Sequence, residues 1–276
     1  MTRAAHVTPL RRARHRARIH LSESPTLYLP IARRRYPGPS PEVISDATEM
    51  VIDGYTRCGS TFTVYAFQLA QPRPVRLAHH LHANAQLVVA ARRGLPTLAV
   101  IRDPRGAVLS QLVREPHVDL RDVLVAYARF YEQLLPHRDA MVVGEFQQLT
   151  QDLAGVVRRV NDRFGTDYAE PSLDEEQRRE CTELATARSS LSPVLRGFES
   201  GTVSREQLRA ARTMVGAGVS YGGTAPATQS LWVPSAEREQ EKAALAQAWE
   251  AASPRLRYRA QLAYERFAGA DAQPPA

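Results

Sequence analysis

Short apolar segments alternate with segments of helical periodicity through the first half of the chain. The apolar segments are strand-like and lie at 50–53, 75–78, 97–101 and 141–143. The segments between them have the apolar spacing of helices and lie at 61–70, 84–93, 106–113 and 120–135. Strands that alternate with helices predict a parallel sheet covered by helices on both faces.

The second half of the chain is predicted to be mainly helical. Helical periodicity recurs at 149–164, 172–189, 204–215 and 235–267, and a glycine-rich loop is expected at 216–224. The fold class that follows is α/β, in three α/β/α layers with a central parallel sheet. We expect residues 47–270 to form a single domain, because one α/β domain of this size is common. Residues 1–46 would form a basic arm and a proline-containing connector.

Positive charge is concentrated near the N-terminus, although the whole chain has a formal net charge of only +7. Residues 1–35 contain nine arginines and a single acid, Glu23, so this segment carries +8 and the remainder about −1. Such an arm can bind nucleic acid or an anionic membrane surface. We expect a solvated, poorly ordered tail instead, because the arm has few aromatic residues and no recognisable nucleic-acid motif.

The composition is that of an ordinary globular protein, with 43% hydrophobic and 24% charged residues. The two cysteines, Cys58 and Cys181, are too few for a disulfide framework. No apolar run approaches the roughly 20 residues that span a bilayer, and no apolar core of a secretory signal is present at the N-terminus. We therefore expect a soluble, cytoplasmic protein, and whether it forms a homo-oligomer stays open.

The segment 51–62, VIDGYTRCGSTF, is the most informative stretch for function. An apolar strand runs into a turn that contains Gly54 and Gly59, and a helix is predicted to begin near Ser60. Glycines let backbone amides approach a phosphate closely, and the helix N-terminus adds N–H donors and a partial positive charge. The pattern therefore predicts a P-loop-like phosphate-binding loop, to which the hydroxyls of Ser60 and Thr61 add donors.

This loop lacks the lysine of nucleoside-triphosphate sites. In the pattern G-x-x-x-x-G-K-[ST] the lysine follows the second glycine, and Ser60 occupies that position here. Its absence argues against ATP or GTP hydrolysis, because the lysine reaches the β- and γ-phosphates. A kinase or NTPase that uses Asp103 as a metal-binding acid is the first alternative. The second is a non-catalytic nucleotide- or nucleic-acid-binding protein that acts through the basic arm.

The loop resembles the 5′-phosphosulfate loop of the sulfotransferase family, which reads approximately Y-P-[KR]-[SA]-G-[ST]-T-[WFL]. The chain has YTRCGSTF at 55–62 and agrees at six of the eight positions, with Thr56 and Cys58 as the departures. The resemblance implies that this loop binds 3′-phosphoadenosine 5′-phosphosulfate (PAPS) and that Arg57 helps to stabilise the transition state. The residues it implies as cofactor contacts are Arg57, Cys58, Gly59, Ser60, Thr61 and Phe62.

A second segment, PTLAVIRDPRGAVLSQL at 96–112, resembles the family's 3′-phosphate motif. An apolar strand there ends in Arg-Asp-Pro-Arg, and Ser110 follows Arg102 by eight residues. By that match Arg102 and Ser110 would hold the 3′-phosphate of PAPS, the arginine through a charge-assisted fork and the serine through its hydroxyl. Two motifs in this order and spacing favour a sulfotransferase over a surface ion pair at Arg102.

Three of the eight histidines lie together between the two motifs. A neutral imidazole is the usual general base near neutral pH. In the family's K-T-H-L-P segment the histidine is the base, and aligning His79-His80-Leu81-His82 with its T-H-L-P makes His80 the counterpart, with Ala78 at the position of the lysine. Period-two alternation in a strand puts His82 on the same face, so His82 is the second candidate. A purely structural cluster is a further alternative, and no nearby cysteine or carboxylate completes a metal shell.

The resemblance covers about residues 50–165 and implies a sulfotransferase that needs no metal and uses a hydroxyl or amino acceptor. The R-K-G loop that closes the nucleotide site in cytosolic animal sulfotransferases has no counterpart in the sequence. Arg196-Gly197 or the loop before Arg238 could substitute for it. The sequence leaves the acceptor open among small molecules, glycans and lipids.

Overall fold

Four parallel strands form the centre of the fold, in a computed structural model that describes residues 8–38, 40–188, 190–218, 221 and 236–269. The strands are β1 (Met50–Gly54), β2 (Leu77–His79), β3 (Thr97–Ile101) and β4 (Val142–Glu145). They pair in the order β2-β1-β3-β4. The predicted parallel sheet is thus confirmed, and its nearly complete burial is compatible with helices on both faces.

Within the described residues, thirteen α-helices accompany the sheet, and the second half of the chain is mainly helical, as predicted. They are α1 (Pro9–Ser22), α2 (Pro25–Arg35), α3 (Ser60–Ala70), α4 (Asn84–Arg92), α5 (Pro104–Arg114), α6 (Leu120–Leu134), α7 (Phe146–Gln151), α8 (Leu153–Phe164), α9 (Glu175–Thr186), α10 (Ser192–Glu199), α11 (Arg205–Gly216), α12 (Ala236–Ala251) and α13 (Pro254–Ala268). A 3-10 turn at Leu135–Ala140 leads towards β4.

The chain reverses its direction across the sheet between β1 and β3. It passes from β1 to β2 on one side, and then back over β1 to β3 on the other side. Ile52 of β1 lies beside His79 of β2 and beside Leu98 of β3. In an open parallel sheet such a reversal leaves a crevice at the carboxyl ends of the strands, which is where ligands bind.

Two predicted boundaries in the α/β part differ from the structure for local reasons. β2 begins at Leu77 rather than at residue 75, because its pairing with β1 starts there. The helix predicted at 149–164 is divided at Asp152. The Asp152 carboxylate accepts a hydrogen bond from the amide of Gly155 and caps α8, so the chain turns and restarts its helical hydrogen bonds at this point.

The C-terminal half differs from its prediction in a similar way. The helix predicted at 235–267 is divided before Pro254, since proline lacks the N–H that a continuing helix requires. Residue 235 and much of the glycine-rich loop predicted at 216–224 lie outside the described residues. α10 was not predicted as a separate helix.

Residues 8–35 are folded onto the domain, which differs from the expected solvated tail. α1 packs against α6, and α2 packs against α4. Asp122 of α6 is only 4% exposed, and it accepts hydrogen bonds from Arg12 and Arg16 of α1. Leu29 of α2 is buried. A nearly buried carboxylate needs cationic partners, which explains why part of the basic arm is held against the fold.

The C-terminal helices pack on the same domain. α13 lies along α6 and buries Phe267, and α12 lies against α5. α12 thereby brings side chains to the carboxyl edge of the sheet. No helix in the described part of the chain is both long enough and apolar enough to cross a membrane.

Candidate functional site

A cavity of about 440 Å³ opens at the carboxyl edge of the sheet. A residue just after each of the four strands lines this cavity: Thr56 after β1, His80 after β2, Arg102 after β3 and Phe146 after β4. This is the position that the reversal between β1 and β3 predicts for a ligand site. The volume lies in the range of small-molecule sites, about 300–1,000 Å³.

The turn between β1 and α3 depends on two glycines. A Cβ on Gly54 would lie 2.0 Å from the carbonyl oxygen of Val100, so the close approach of β1 to β3 requires glycine there. Gly59 is the N-cap of α3 and has φ +96°, in the left-handed region that favours glycine. A Cβ at Gly59 would also lie 3.1 Å from the ring of Phe146.

The N-terminus of α3 faces the cavity. Gly59, Ser60, Thr61 and Phe62 all line it. The first N–H groups of any helix have no intrahelical acceptor, so this end of α3 can bind an anion. The Ser60 hydroxyl is buried, and it has no hydrogen-bond partner among the described residues.

Cys58 was predicted to contact the cofactor, but unlike the other predicted residues of this loop it does not line the cavity. Its thiol is fully buried and lies 3.4 Å from the hydroxyl of Tyr131, in the core. Burial raises the pKa of this thiol to about 12, so it stays protonated at neutral pH. Cys58 could therefore contact a ligand only through its backbone.

Arg57 and Ser110 join the two predicted motifs across the cavity. Nε of Arg57 donates a hydrogen bond of 2.9 Å to the hydroxyl of Ser110 on α5. Burial, followed by the nearby Arg114 and Arg102, lowers the pKa of Arg57 to about 10. A bound anion would relieve this crowding of positive charge, because it supplies opposite charge where the guanidinium has lost water.

Arg102 lies where β3 ends and α5 begins. Its guanidinium lies 4.2 Å from the centre of the Phe146 ring, which fixes its orientation through a cation–π contact. Nε of Arg102 is buried and has no hydrogen-bond partner within the described chain, and the carboxylate of Asp103 is 3.8 Å away. A buried guanidinium N–H without an acceptor is suited to a ligand oxygen.

His80 and His82 both line the cavity, although not through strand alternation. β2 ends at His79, and the backbone then turns through φ +57° at His80 and +51° at His82. Nε2 of His80 lies 2.9 Å from the hydroxyl of Thr61. Nδ1 of His82 lies 2.8 Å from the carbonyl oxygen of Gly54, and it must be the protonated nitrogen because a carbonyl only accepts.

A buried polar network lies behind His80. The Nδ1 atoms of His79 and His80 are in contact. Nε2 of His79 is 3.6 Å from the Glu199 carboxylate on α10, and Arg188 binds that carboxylate at 2.9 Å. The hydroxyl of Tyr65 contacts Arg188. Sequence reasoning missed Glu199, because a single acid more than a hundred residues from the histidines carries no local signal.

Burial controls the charge state of the two adjacent histidines. It lowers the pKa of His79 to about 3, with the positive charge of Arg188 as the next cause. It also lowers the pKa of His80, followed by the effects of His79 and Arg188. Both imidazoles are therefore neutral at neutral pH, which is the form that accepts a proton.

The cavity is also lined by cationic side chains that the sequence did not indicate. Arg114 comes from α5, Arg188 follows α9, and Arg238 and Lys242 come from α12. Arg238 and Lys242 are four residues apart and hence on one side of the helix. The loop before Arg238 was considered as a substitute for the missing R-K-G loop, but it lies outside the described residues.

No family model, no curated protein and no solved structure matches this chain. The function must therefore be argued from the groups that the cavity brings together. These are a helix N-terminus, several cations of which Arg102 has a buried N–H without an acceptor, and a neutral imidazole. They can bind an anionic ligand at more than one point and accept a proton from a second ligand.

Proposed function

We propose that this protein is a sulfotransferase that moves a sulfuryl group from PAPS to a hydroxyl or amino acceptor. The observation that carries the proposal is the hydrogen bond between Arg57 and Ser110 inside one cavity. It joins the loop that resembles a 5′-phosphosulfate site to the segment that resembles a 3′-phosphate site. A nucleotide with an anionic group at each end would contact both.

The binding of PAPS would use the N-terminus of α3 at one end and α5 at the other. The amides and hydroxyls of residues 59–62 would bind the 5′-phosphosulfate, acting as a P-loop-like cradle. Arg102, with its buried Nε, and Ser110 would bind the 3′-phosphate. Arg238 and Lys242 of α12 line the same cavity and would add positive charge to the site.

The chemical step needs a proton acceptor next to the sulfuryl group, and His80 fits this role. If the proton of neutral His79 lies on Nε2, towards Glu199, then its Nδ1 accepts a hydrogen bond from Nδ1–H of His80. That arrangement leaves Nε2 of His80 without a proton. Nε2 would accept the proton of the acceptor as a new bond forms to sulfur and the sulfur–oxygen bond to the nucleotide breaks. Adenosine 3′,5′-bisphosphate would leave, with its developing charge stabilised by Arg57.

The alternative of a metal-dependent kinase has less support in the geometry. Asp103, its candidate metal ligand, accepts a hydrogen bond of 2.6 Å from the amide of Gly106 and caps α5. Its side chain is also 56% exposed, and it is not among the residues that line the cavity. Asp103 therefore has a structural role at the start of α5.

Calorimetric titration with adenosine 3′,5′-bisphosphate, in the presence of a chelator, tests the proposal directly. We expect binding without magnesium, weakened roughly tenfold to hundredfold in Arg102→Ala by the loss of a charge-assisted contact. Arg92→Ala, which removes an exposed arginine of α4, is the matched control and should bind normally. A sulfuryl-transfer screen of hydroxyl and amino acceptors with PAPS then tests turnover. Binding of ATP with magnesium, but not of the bisphosphate, would contradict the proposal.

A further inference from the structure

The outer surfaces of α1 and α2 expose an unusual number of large apolar side chains. The described chain has seven exposed large hydrophobic residues, and four of them are on these two short helices. They are Leu10 at 80% exposure, Leu21 at 40%, Leu27 at 58% and Ile31 at 49%. Isolated exposed leucines need no explanation, but a local concentration of them indicates a surface that is covered by something.

The exposed residues of α1 form a continuous stripe. Leu10, Arg14, Ala17 and Leu21 are all exposed, and they are spaced by four, three and four residues, which places them on one side of a helix. Arg18 is exposed beside the stripe. The opposite side of α1 packs on α6, so the stripe is the side that the fold leaves uncovered.

α2 has the same division between a packed side and an uncovered side. Leu29 and Ala32 are buried in the core. Leu27 and Ile31 are one turn apart and exposed, and Arg34 continues their line towards the end of the helix. α1 and α2 are consecutive and contact each other. We call the exposed stripes of the two helices, with the arginines that flank them, the basic apolar surface.

The charge of this surface identifies its partner. In the part of the chain that the structure describes, Arg14, Arg18 and Arg34 have no carboxylate within ion-pairing distance, in contrast to Arg12 and Arg16. Apolar side chains flanked by arginines are the pattern of helices that lie in the interface of an anionic bilayer. There the aliphatic groups reach the acyl boundary and the guanidinium groups bind lipid phosphates.

We propose that the basic apolar surface docks the protein on anionic lipid membranes. A nucleic acid explains the arginines but not the leucines, since aliphatic side chains do not stack on bases and phosphate contacts need none. A second copy of the chain explains the leucines but would bring two arginine-rich surfaces together. An anionic bilayer satisfies both features, and this proposal does not depend on the sulfotransferase assignment.

Flotation of the full chain with lipid vesicles tests this inference. We expect the protein to float with vesicles that contain phosphatidylglycerol and phosphatidylcholine, and to stay behind with phosphatidylcholine alone. Raising the salt from about 0.1 M to about 0.5 M should weaken the binding, because the Debye length shortens. The same binding to both vesicle types would overturn the proposal.

A quadruple variant and a matched control test the apolar contribution. The quadruple change Leu10→Ser, Leu21→Ser, Leu27→Ser and Ile31→Ser should reduce vesicle binding at least about tenfold while the circular dichroism spectrum is kept, since all four side chains are exposed. Met214→Ser with Tyr258→Ser is the matched control, because these side chains are exposed elsewhere, and it should bind as the unmodified protein does.

Three results would overturn the inference. The first is full vesicle binding by the quadruple variant. The second is a stable oligomer that the quadruple change dissociates, which would make the surface a contact between copies. The third is binding to duplex nucleic acid that competes with vesicles and does not change in the quadruple variant.

Discussion

Strained backbone is concentrated at residues that line the cavity. The described chain has four non-glycine residues with positive φ, and three of them, Arg57, His80 and His82, line the cavity. Each such conformation costs on the order of 1–3 kcal/mol and persists only where neighbouring groups hold it. Asp53 is one such group, because its buried carboxylate accepts hydrogen bonds from the amides of Gly54 and His82. The strain thus turns these side chains towards a common space.

Replacement of His80 should separate binding from chemistry. His80→Ala is expected to bind adenosine 3′,5′-bisphosphate normally and to lower turnover roughly 10²- to 10⁴-fold, as for a lost general base. Calorimetry and single-turnover assays would measure the two effects. His82→Ala is the companion variant, because donation from its Nδ1 to the carbonyl of Gly54 also leaves its Nε2 without a proton. We expect a smaller effect, since Nε2 of His80 lies 2.9 Å from Thr61 at the N-terminus of α3, where the sulfuryl group would bind. Normal turnover in His80→Ala with loss in His82→Ala would reverse the assignment of the base.

The elements that position these residues were largely predictable from the sequence. β3 was predicted at its observed bounds, Thr97–Ile101, because a β-branched threonine followed by four apolar residues is typical of a strand in a buried parallel sheet. The segment that contains α1 and α2 was expected to be a poorly ordered tail, because it has few aromatic residues and no recognisable nucleic-acid motif. The packing of α1 depends on Asp122 of α6, more than a hundred residues away, and local periodicity contains no information about such a partner.

The junction of β1 and α3 allows a test of one backbone position. Gly59→Ala places a Cβ in a left-handed conformation and 3.1 Å from the Phe146 ring, on which Arg102 is stacked. We expect a loss of about 1 kcal/mol in the free energy of unfolding, together with weaker binding of the bisphosphate, because ring and guanidinium must shift. Chemical denaturation and calorimetry would measure these two quantities.

Gly94 provides the matched control for that substitution. It also has positive φ, at +64°, but a Cβ there would meet nothing within 4 Å. Gly94→Ala should therefore lose a similar amount of stability and keep nucleotide binding. Equal binding by the two variants would show that the turn before α3 does not contact the nucleotide.

The molecule as a whole assembles its cavity from distant parts of the chain. The loop after β1, the turn after β2 and the start of α5 lie within about 60 residues of one another, and the sequence linked them through their motifs. Arg188 and α12 lie far beyond, and only the tertiary fold shows that they line the same space. Their positions could not be predicted, because Arg238 and Lys242 lie in a helix with many charged residues and have no distinctive local pattern.

The histidine pair predicts how the stability of the whole fold responds to acid. The pKa of His79 is lowered to about 3, mainly by burial, whereas a histidine in an unfolded chain titrates near pH 6.5, about its ordinary value. Between these two values the unfolded state binds a proton that the folded state does not. The free energy of unfolding should therefore decrease as the pH falls below about 6.5, by up to about 1.4 kcal/mol per pH unit from His79.

Urea denaturation between about pH 7 and about pH 5 measures this slope, in a range above the ordinary pKa of carboxylates. His80, whose pKa is also lowered by burial, should add to it in the same direction. Burial raises the pKa of Glu199, so any proton that Glu199 takes up in the folded state opposes the slope, and the comparison of variants isolates the histidine.

In His79→Asn the dependence of the free energy of unfolding on pH should lose the contribution of His79. This loss is expected whatever the substitution does to stability at neutral pH. An unchanged slope would contradict the lowered pKa of His79, because His79 would then take up a proton equally in the folded and unfolded states. Its Nδ1 would carry a proton towards His80 at the acid end of this range, and the donor order that leaves Nε2 of His80 free to act as the base would fail there.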